Sequence, residues 1–562
     1  RATQCRFILE FKRTGIWKVR MVVQGFRENK VALDGVGFNY SSNVAGLTAI
    51  RNALLSPVPA DGSVAVGSID IATAFLQSDR FGPEEPPRYL KVRDPVSGSW
   101  RYFRQYGPVY GSSSAPKRWE NTLHPWLESQ GFVQGKNEKC VFYHPTRKVV
   151  VITYVDDLLV RGPDREAKWF MDALCRRFKC KDPHWLAPGA PLDHLGMTVF
   201  RDAHGVYVSM EGYIESMLKR LGMEGCALSR GQTPINGPIE DFTPITANER
   251  ELFMTACGML GWLAGTARPD VKYAHSRISQ HMATPGRGAL KAVLHAVRYC
   301  SSTRTACLYQ PYGEDAEWEF YSDSDHAGNA ELQNKRRSQL GYIALRGRCP
   351  IAFGSKASSV TFGSQPAGDT NPVPVCHPAV SELHADVSSA AAEIYAASVA
   401  LSEMCYLSYI SDEMGIPIRL PFKLQVDNST CLAFGEDQIQ RSKLRHIDCR
   451  QEWVLALRDA KVVQMEWVES ANNFADLFTK ILEAETFIRL RDQIMAFQPI
   501  PSQACDEGAA EQLLEQDEFV AGKSRACGDW PEEAIRNKSR NTNSAPLDVV
   551  GKGGVKGRSP PE

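Results

Sequence analysis

No Cys-x-x-Cys pair occurs among the 562 residues, although 15 of them are cysteine. That spacing is what a zinc knuckle or ribbon needs, so both are excluded. An odd number of scattered thiols reads as reduced cysteine in a soluble intracellular protein. No run of 18 apolar residues is present, so no membrane-spanning helix is predicted. The opening Arg1-Ala2-Thr3-Gln4 has no apolar signal region. Because the first residue is not Met, the chain is expected to be a fragment of a longer product. Net charge is missing too, since 65 Lys and Arg balance 65 Asp and Glu. A polybasic binder is thereby excluded, and any contact with phosphates must come from a local patch.

What is present is enough apolar material for several cores. Hydrophobic residues make up 43% and aromatics 9% of the chain. Its length suggests three to four domains, at roughly 150 residues each. Charge is locally uneven. Residues 1–60 carry Arg1, Arg6, Lys12, Arg13, Lys18, Arg20, Arg27, Lys30 and Arg51 against Glu10, Glu28 and Asp34. The alternation Trp17-Lys18-Val19-Arg20-Met21-Val22-Val23 predicts a strand with one basic and one apolar face.

Trp119, Leu123, Trp126 and Leu127 share one face of a predicted amphipathic helix that Pro125 should kink or shorten. Strands are predicted at 140–143, 149–155 and 158–160, with a hairpin formed by 195–199 and 206–209. Helices are predicted at 166–178, 213–221, 252–264 and 289–300. From 317 the order becomes strands at 317–321, 341–345 and 350–353, then a helix from about 388 to 414. A strand at 423–426, a helix at 447–461, a strand at 462–468 and a helix at 473–482 follow. The aperiodic segment from 496 to 562 reads as a disordered tail.

Two adjacent carboxylates, Asp156 and Asp157, sit at the reversal between the apolar runs Val149–Val155 and Leu158–Val160. Asp is a common turn former. Held against a partly buried surface, however, the pair needs a cation, and without nearby His or Cys a hard ion such as Mg²⁺ or Mn²⁺ suits it. Asp70 ends the strand Ser68-Ile69-Asp70-Ile71 and is a third candidate ligand. Spacing alone does not bring it to Asp156. In the second half, Asp323 ends a strand, Glu393 lies early in the long helix, Asp427 follows a strand and Asp476 opens the last helix. Taken singly, each is an ordinary turn or helix-start acid.

Tyr154-Val155-Asp156-Asp157 matches the reverse-transcriptase signature. Ile69-Asp70-Ile71-Ala72-Thr73-Ala74-Phe75-Leu76 resembles the strand and turn bearing the first catalytic Asp. Val19-Arg20-Met21-Val22-Val23-Gln24-Gly25-Phe26, Tyr110-Gly111, Ala115-Pro116-Lys117-Arg118-Trp119 and His194-Leu195-Gly196-Met197 resemble segments of copia-type LTR retrotransposons, in the same order. Tyr321-Ser322-Asp323-Ser324-Asp325, Val426-Asp427-Asn428, His446-Ile447-Asp448 and Ala475-Asp476-Leu477-Phe478-Thr479-Lys480 resemble the ribonuclease H of that family.

The resemblance, over roughly residues 5–495, implies an α+β and α/β multidomain chain. A right-hand polymerase would be followed by a ribonuclease H-like domain: fingers and palm at 1–164, a thumb or connection at 165–315, and ribonuclease H at 316–495. It implies two Mg²⁺ or Mn²⁺ ions on Asp70, Asp156 and Asp157, and two on Asp323, Glu393, Asp427 and Asp476. Asp325 is an alternative to Asp323. It places Phe75 beneath the incoming sugar and Lys18 and Arg20 by the triphosphate. Ser114 stands where the family has a nucleotide-positioning Gln. An RNA template, a DNA primer, RNA–DNA hybrid and dNTPs are the implied partners, with capsid and integrase portions of the same element. The implied location is a cytoplasmic virus-like particle and the nucleus. The departures are Ser112-Ser113-Ser114, Pro125, Ala391 and an insertion at 357–387. They leave open an alternative, a retroelement relic that binds nucleic acid with one or both activities lost.

Overall fold

A computed structural model describes residues 2–11, 17–57, 63–225, 232–313, 317–325, 338–358, 378–436 and 449–500, together with positions 59 and 61. The first half contains β1 (Thr3–Phe11), β2 (Trp17–Val23), α1 (Lys30–Asp34), α2 (Leu47–Leu54), β3 (Val64–Asp70), β4 (Arg88–Arg93) and β5 (Trp100–Gln105). It continues with α3 (Ala115–Ser129), β6 (Val133–Gln134), β7 (Val141–His144), β8 (Val149–Tyr154), β9 (Asp157–Pro163), α4 (Asp164–Arg177) and β10 (His184–Trp185). These strands form two sheets, one ordered β2-β1-β4-β5 and the other β10-β3-β9-β8-β7-β6.

The second sheet is buried on both faces, which is why Val149–Ile152 is apolar without alternation. On one side Ile69, Phe142, Val151, Leu158 and Val160 pack under Trp119, Leu123 and Leu127 of α3 and Phe170 and Leu174 of α4. On the other, Val66, Val150, Ile152 and Leu159 meet Ala49, Ile50, Ala53 and Leu54 of α2. α4 and β10, which follow the boundary expected at 164, also join this layer. The shortening expected from Pro125 does not occur, and α3 runs through it. Pro125 and Asn121, whose carbonyl loses its helical donor, both face solvent, so water can satisfy the freed group. The basic and apolar faces expected of β2 do not divide cleanly into exposed and buried. Trp17 and Val19 are exposed and Val23 is buried.

The middle region holds β11 (Leu192–His194), β12 (Met197–Arg201), β13 (Gly205–Ser209), α5 (Glu211–Leu221), α6 (Ala247–Thr266), α7 (Lys272–Ser279), α8 (Arg287–Ser302) and β14 (Ala306–Pro311). α6 begins five residues before the apolar periodicity because Thr246 and Glu249 close a reciprocal capping box.

The last region runs β15 (Trp318–Asp325), β16 (Gln339–Arg346), β17 (Cys349–Ala357), α9 (Pro378–Glu413), β18 (Phe422–Val426), α10 (Ser429–Gly435), α11 (Cys449–Asp459), β19 (Val463–Trp467), α12 (Ala484–Ile494) and β20 (Ala496–Phe497). Its sheet is ordered β17-β16-β15-β18-β19, with β17, β16 and β15 antiparallel and β18 and β19 parallel to β15. α9 begins at Pro378, inside the segment expected to be an unstructured insertion, and residues 359–377 of that segment lie outside the described residues. In place of the helix expected at 473–482 there is a short 3-10 turn, Phe474–Phe478, followed by α12. Ala496–Phe497, expected in the tail, pair with β14, and residues 501–562 lie outside the described residues. No helix among the described residues is long and apolar enough to cross a membrane.

The regions share one core. The Arg51 guanidinium from α2 donates to the carbonyls of Gly265 (2.5 Å) and Thr266 (3.0 Å) at the end of α6, and to Ile351 of β17 (2.8 Å). Those α6 carbonyls have no intrahelical donor, so a cation there satisfies them and opposes the helix dipole. Arg346 of β16 reaches back to Leu55 and Asn52.

Candidate active sites: two acidic centres

The first centre lies where β3, β8 and β9 end. In the antiparallel register Asp70 stands opposite Asp157, and Asp157 opposite Tyr154, which leaves Val155 and Asp156 to make the reversal. Val155 has φ 59°, a left-handed conformation that a β-branched side chain seldom adopts. The surroundings hold it there. The Trp119 indole donates to the Val155 carbonyl (2.7 Å), and the Ile71 N–H donates to the Asp156 carbonyl (2.8 Å). This is local strain imposed by packing, a common feature of functional turns.

Burial, then the neighbouring Asp156 and Asp70 carboxylates, pushes Asp157 up to about 6. Burial also raises Asp156, with Asp70 adding to the shift while Lys181 and Lys18 oppose it. Lys181 Nζ sits 2.5 Å from Asp70 Oδ2, and its backbone N–H donates to the Asp70 carbonyl (2.9 Å). Lys181 was not singled out from the sequence.

The other residues expected here divide by position. Lys18 lies close enough to act on Asp156, and Arg20 to act on Tyr110. Phe75 is half-buried in the 3-10 turn Ala74–Gln77, edge-on to Tyr110 at 5.2 Å between ring centres. Ser114 is buried, and its hydroxyl accepts from Arg118 Nε (3.3 Å). Arg118 also pairs with Asp34 and Glu85, so Ser114 is part of a packed ion-pair network.

The second centre joins four elements. Phe320 pairs with Leu424 and Tyr321 with Gln425 in the parallel β15–β18 ladder. The same offset carries Asp323 beside Asp427. Asn473 donates to the Ser322 carbonyl (3.3 Å) and accepts from Ala475 N (3.0 Å), which pins the Phe474–Phe478 turn and its Asp476 against β15. Carboxylate oxygens of Asp323, Asp427 and Asp476 lie within 4.8 Å of one another, and no other such group occurs among the described residues. Asp323 rather than Asp325 belongs to this set. Glu393 of α9 is buried and close enough to be raised well above its ordinary value, first by burial and then by Asp323. Asp476 is pushed up to about 7 by burial and by Asp323. Asp323 is raised by burial, against the opposing pull of Lys480 and Thr479.

Thr479 donates its hydroxyl to Asp323, and Lys480 Nζ bridges Asp476 (2.7 Å) and Asp323 (3.3 Å). The sequence reading picked out the acids and gave these two donors no role, although both lie in the segment that carries Asp476. His446 lies outside the described residues. An all-oxygen donor set whose members repel one another, with no His or Cys, fits a hard divalent cation and not zinc.

Carboxylates on a strand end and a strained hairpin, backed by two helices, form an acidic centre able to hold a hard divalent cation. Residues 5–236 match the family described as reverse transcriptase (RNA-dependent DNA polymerase). The chain is 25% identical over 512 residues to the retrovirus-related Pol polyprotein from transposon TNT 1-94 of Nicotiana tabacum, covering 87% of this chain and 35% of that protein. To the Pol polyprotein from transposon RE1 of Arabidopsis thaliana it is 25% identical over 496 residues, 86% of this chain and 31% of that one. The chain thus spans about a third of the length of these curated relatives. A foamy viral protease-reverse transcriptase solved in complex with RNA/DNA hybrid is similar at TM-score 0.43 and 10% identity, over 84% of this chain and 51% of that chain. Residues 5–236 are a reverse transcriptase domain, and the chain is a homologue of copia-type retrotransposon Pol polyproteins.

Proposed function

We propose that the chain is an RNA-directed DNA polymerase joined to a ribonuclease H. RNA template, DNA primer, dNTPs and RNA–DNA hybrid are its substrates, and capsid and integrase portions of the same element its partners. The observation that carries the reading is the convergence of carboxylates distant in sequence at two separate places. Asp70 faces Asp157 across one ladder, and Asp323, Asp427 and Asp476 meet beside a buried Glu393.

In the first centre Asp70, Asp156 and Asp157 would hold Mg²⁺ or Mn²⁺, and in the second Asp323, Glu393, Asp427 and Asp476. Two bound ions supply a more acidic 3′-hydroxyl or water and a counter-charge for the departing oxygen. The protein's own part is positional. The Val155–Asp156 reversal fixes Asp156 and Asp157 at the end of a rigid sheet, and the Thr73–Gln77 turn carries Phe75 under the place of the sugar. Lys18 and Arg20 extend from β2 as cations for the triphosphate. In the second centre the parallel ladder sets Asp323 beside Asp427, and Asn473 holds Asp476 against them. The proposed regions are fingers and palm at 1–164, a thumb or connection at 165–315, the ribonuclease H at 316–495 and a tail at 496–562.

The test is primer extension on an RNA template with Mg²⁺, run beside release of RNA fragments from a labelled hybrid. Both products are expected. A folded chain that yields neither would overturn the reading in favour of a nucleic-acid-binding relic.

A further inference from the structure

Lys480 is built into the second centre. Its ammonium lies 2.7 Å from Asp476 Oδ1 and 3.3 Å from Asp323 Oδ1, and both acids belong to the set whose oxygens converge within 4.8 Å. A lysine four residues after an acid on a free helix would reach that acid alone. Here Asn473 anchors the preceding turn to β15, and the Thr479 hydroxyl binds Asp323 directly. The lysine stem is therefore directed across the cluster, one cation to two carboxylates. The Asp323 and Asp476 side chains are almost wholly enclosed, at 2% and 11% exposure, while that of Lys480 is 35% exposed. The ammonium thus occupies the rim and can withdraw into water on its flexible stem. Without a cation, the enclosed carboxylates would have to separate or take up protons.

We propose that Lys480 is a positioning residue whose ammonium holds the place of a cation between Asp323 and Asp476 and is displaced when a divalent ion enters. This rests on the reading of the second centre as a divalent-ion site. The cluster is then assembled before the ion arrives, and ion affinity is set by competition with the tethered ammonium. Removing the charge while keeping the stem should loosen the ion-free centre and tighten ion binding. Arginine retains the charge and adds a two-pronged grip, so it should not tighten binding.

The experiment uses the full chain with the first centre silenced by Asp70→Asn and Asp157→Asn, so that Mn²⁺ uptake reports the second. Lys480→Met and Lys480→Arg are added to this background. Calorimetric Mn²⁺ titration and thermal melting, with EDTA or with Mn²⁺, are the readouts. Lys480→Met is expected to lower the half-saturating Mn²⁺ concentration at least fivefold. It should melt below its parent in EDTA, with the gap closing at saturating Mn²⁺. Lys480→Arg is expected to bind Mn²⁺ no more tightly than the parent. An unchanged half-saturation in Lys480→Met, or the same melting loss with and without Mn²⁺, would make Lys480 a structural ion-pair partner and overturn the proposal. Lys480→Gln carries the same test if the methionine variant does not fold. Hybrid cleavage by the unmodified chain is assayed separately. Cleavage alongside an unchanged half-saturation rejects the displacement alone. Mn²⁺ uptake that tightens as expected in a chain that cleaves no hybrid supports the displacement and rejects the ribonuclease reading.

Discussion

Replacing Asp157 by Asn should stabilise the ion-free protein while removing the proposed primer extension. Asp157 titrates near 6 in the folded chain, raised by burial first and then by Asp156 and Asp70, against an ordinary 3.8. Between those two values the folded state binds a proton that the unfolded state has released. Stability therefore falls as pH rises through that window and stays lower above it. Two pKa units are worth about 3 kcal/mol in full, and the partial exposure of Asp157 reduces this to about 1–2 kcal/mol. Asn cannot ionise and escapes the penalty. In EDTA at pH 8, Asp157→Asn is expected to be more resistant to urea than the parent by that amount. Hydrogen exchange should be slower in peptides spanning β8 and β9. Near pH 4 the difference should vanish, and Mg²⁺ at pH 8 should narrow it by stabilising the parent alone. A variant no more stable at pH 8, or stabilised equally at pH 4 and pH 8, would refute the claim that the three carboxylates repel one another in the folded chain.

Three further outcomes are expected. Phe75→Val should admit ribonucleotides with a melting loss well below the ~3–5 kcal/mol typical of a fully buried Phe truncation; a large melting loss with unchanged sugar discrimination would leave Phe75 as packing. Arg268→Met should destabilise strongly, by about 3–5 kcal/mol in denaturant titration, because it abandons the fully enclosed Asp270, whose partners are Arg268 and Tyr299. Duplex DNA affinity should fall steeply with salt despite zero net charge, at about 0.9 log units per log unit of salt for each neutralised phosphate; a flat dependence would make Lys18 and Arg20 a solvated face.

The parts of the fold legible from residues alone were those whose pattern is set by burial. The unbroken Val149–Val155 run marked a strand, and the fold encloses it on both sides. Leu195–Val199 and Val206–Ser209 read as a hairpin, and Met197–Arg201 pairs with Gly205–Ser209 as one. Where other forces act, pattern reading fell short. Asn473 ties its own turn to Ser322, so Phe474–Phe478 winds as a 3-10 turn although its apolar spacing suits a longer helix. A water-facing carbonyl lets α3 tolerate Pro125. The site was legible as far as its acids, because carboxylates at strand ends stand out against apolar runs. Lys181 and Lys480 did not stand out, since a lysine's partner across 111 or 157 residues depends on the tertiary arrangement.

The central claim is that two acidic centres on one chain perform two separate reactions. It is tested most directly by measuring primer extension and hybrid cleavage together for Asp157→Asn and Glu393→Gln, each checked for folding. Asp157→Asn is expected to lose extension and keep cleavage, and Glu393→Gln to keep extension and lose cleavage. Loss of both activities from either single substitution in folded protein would contradict it.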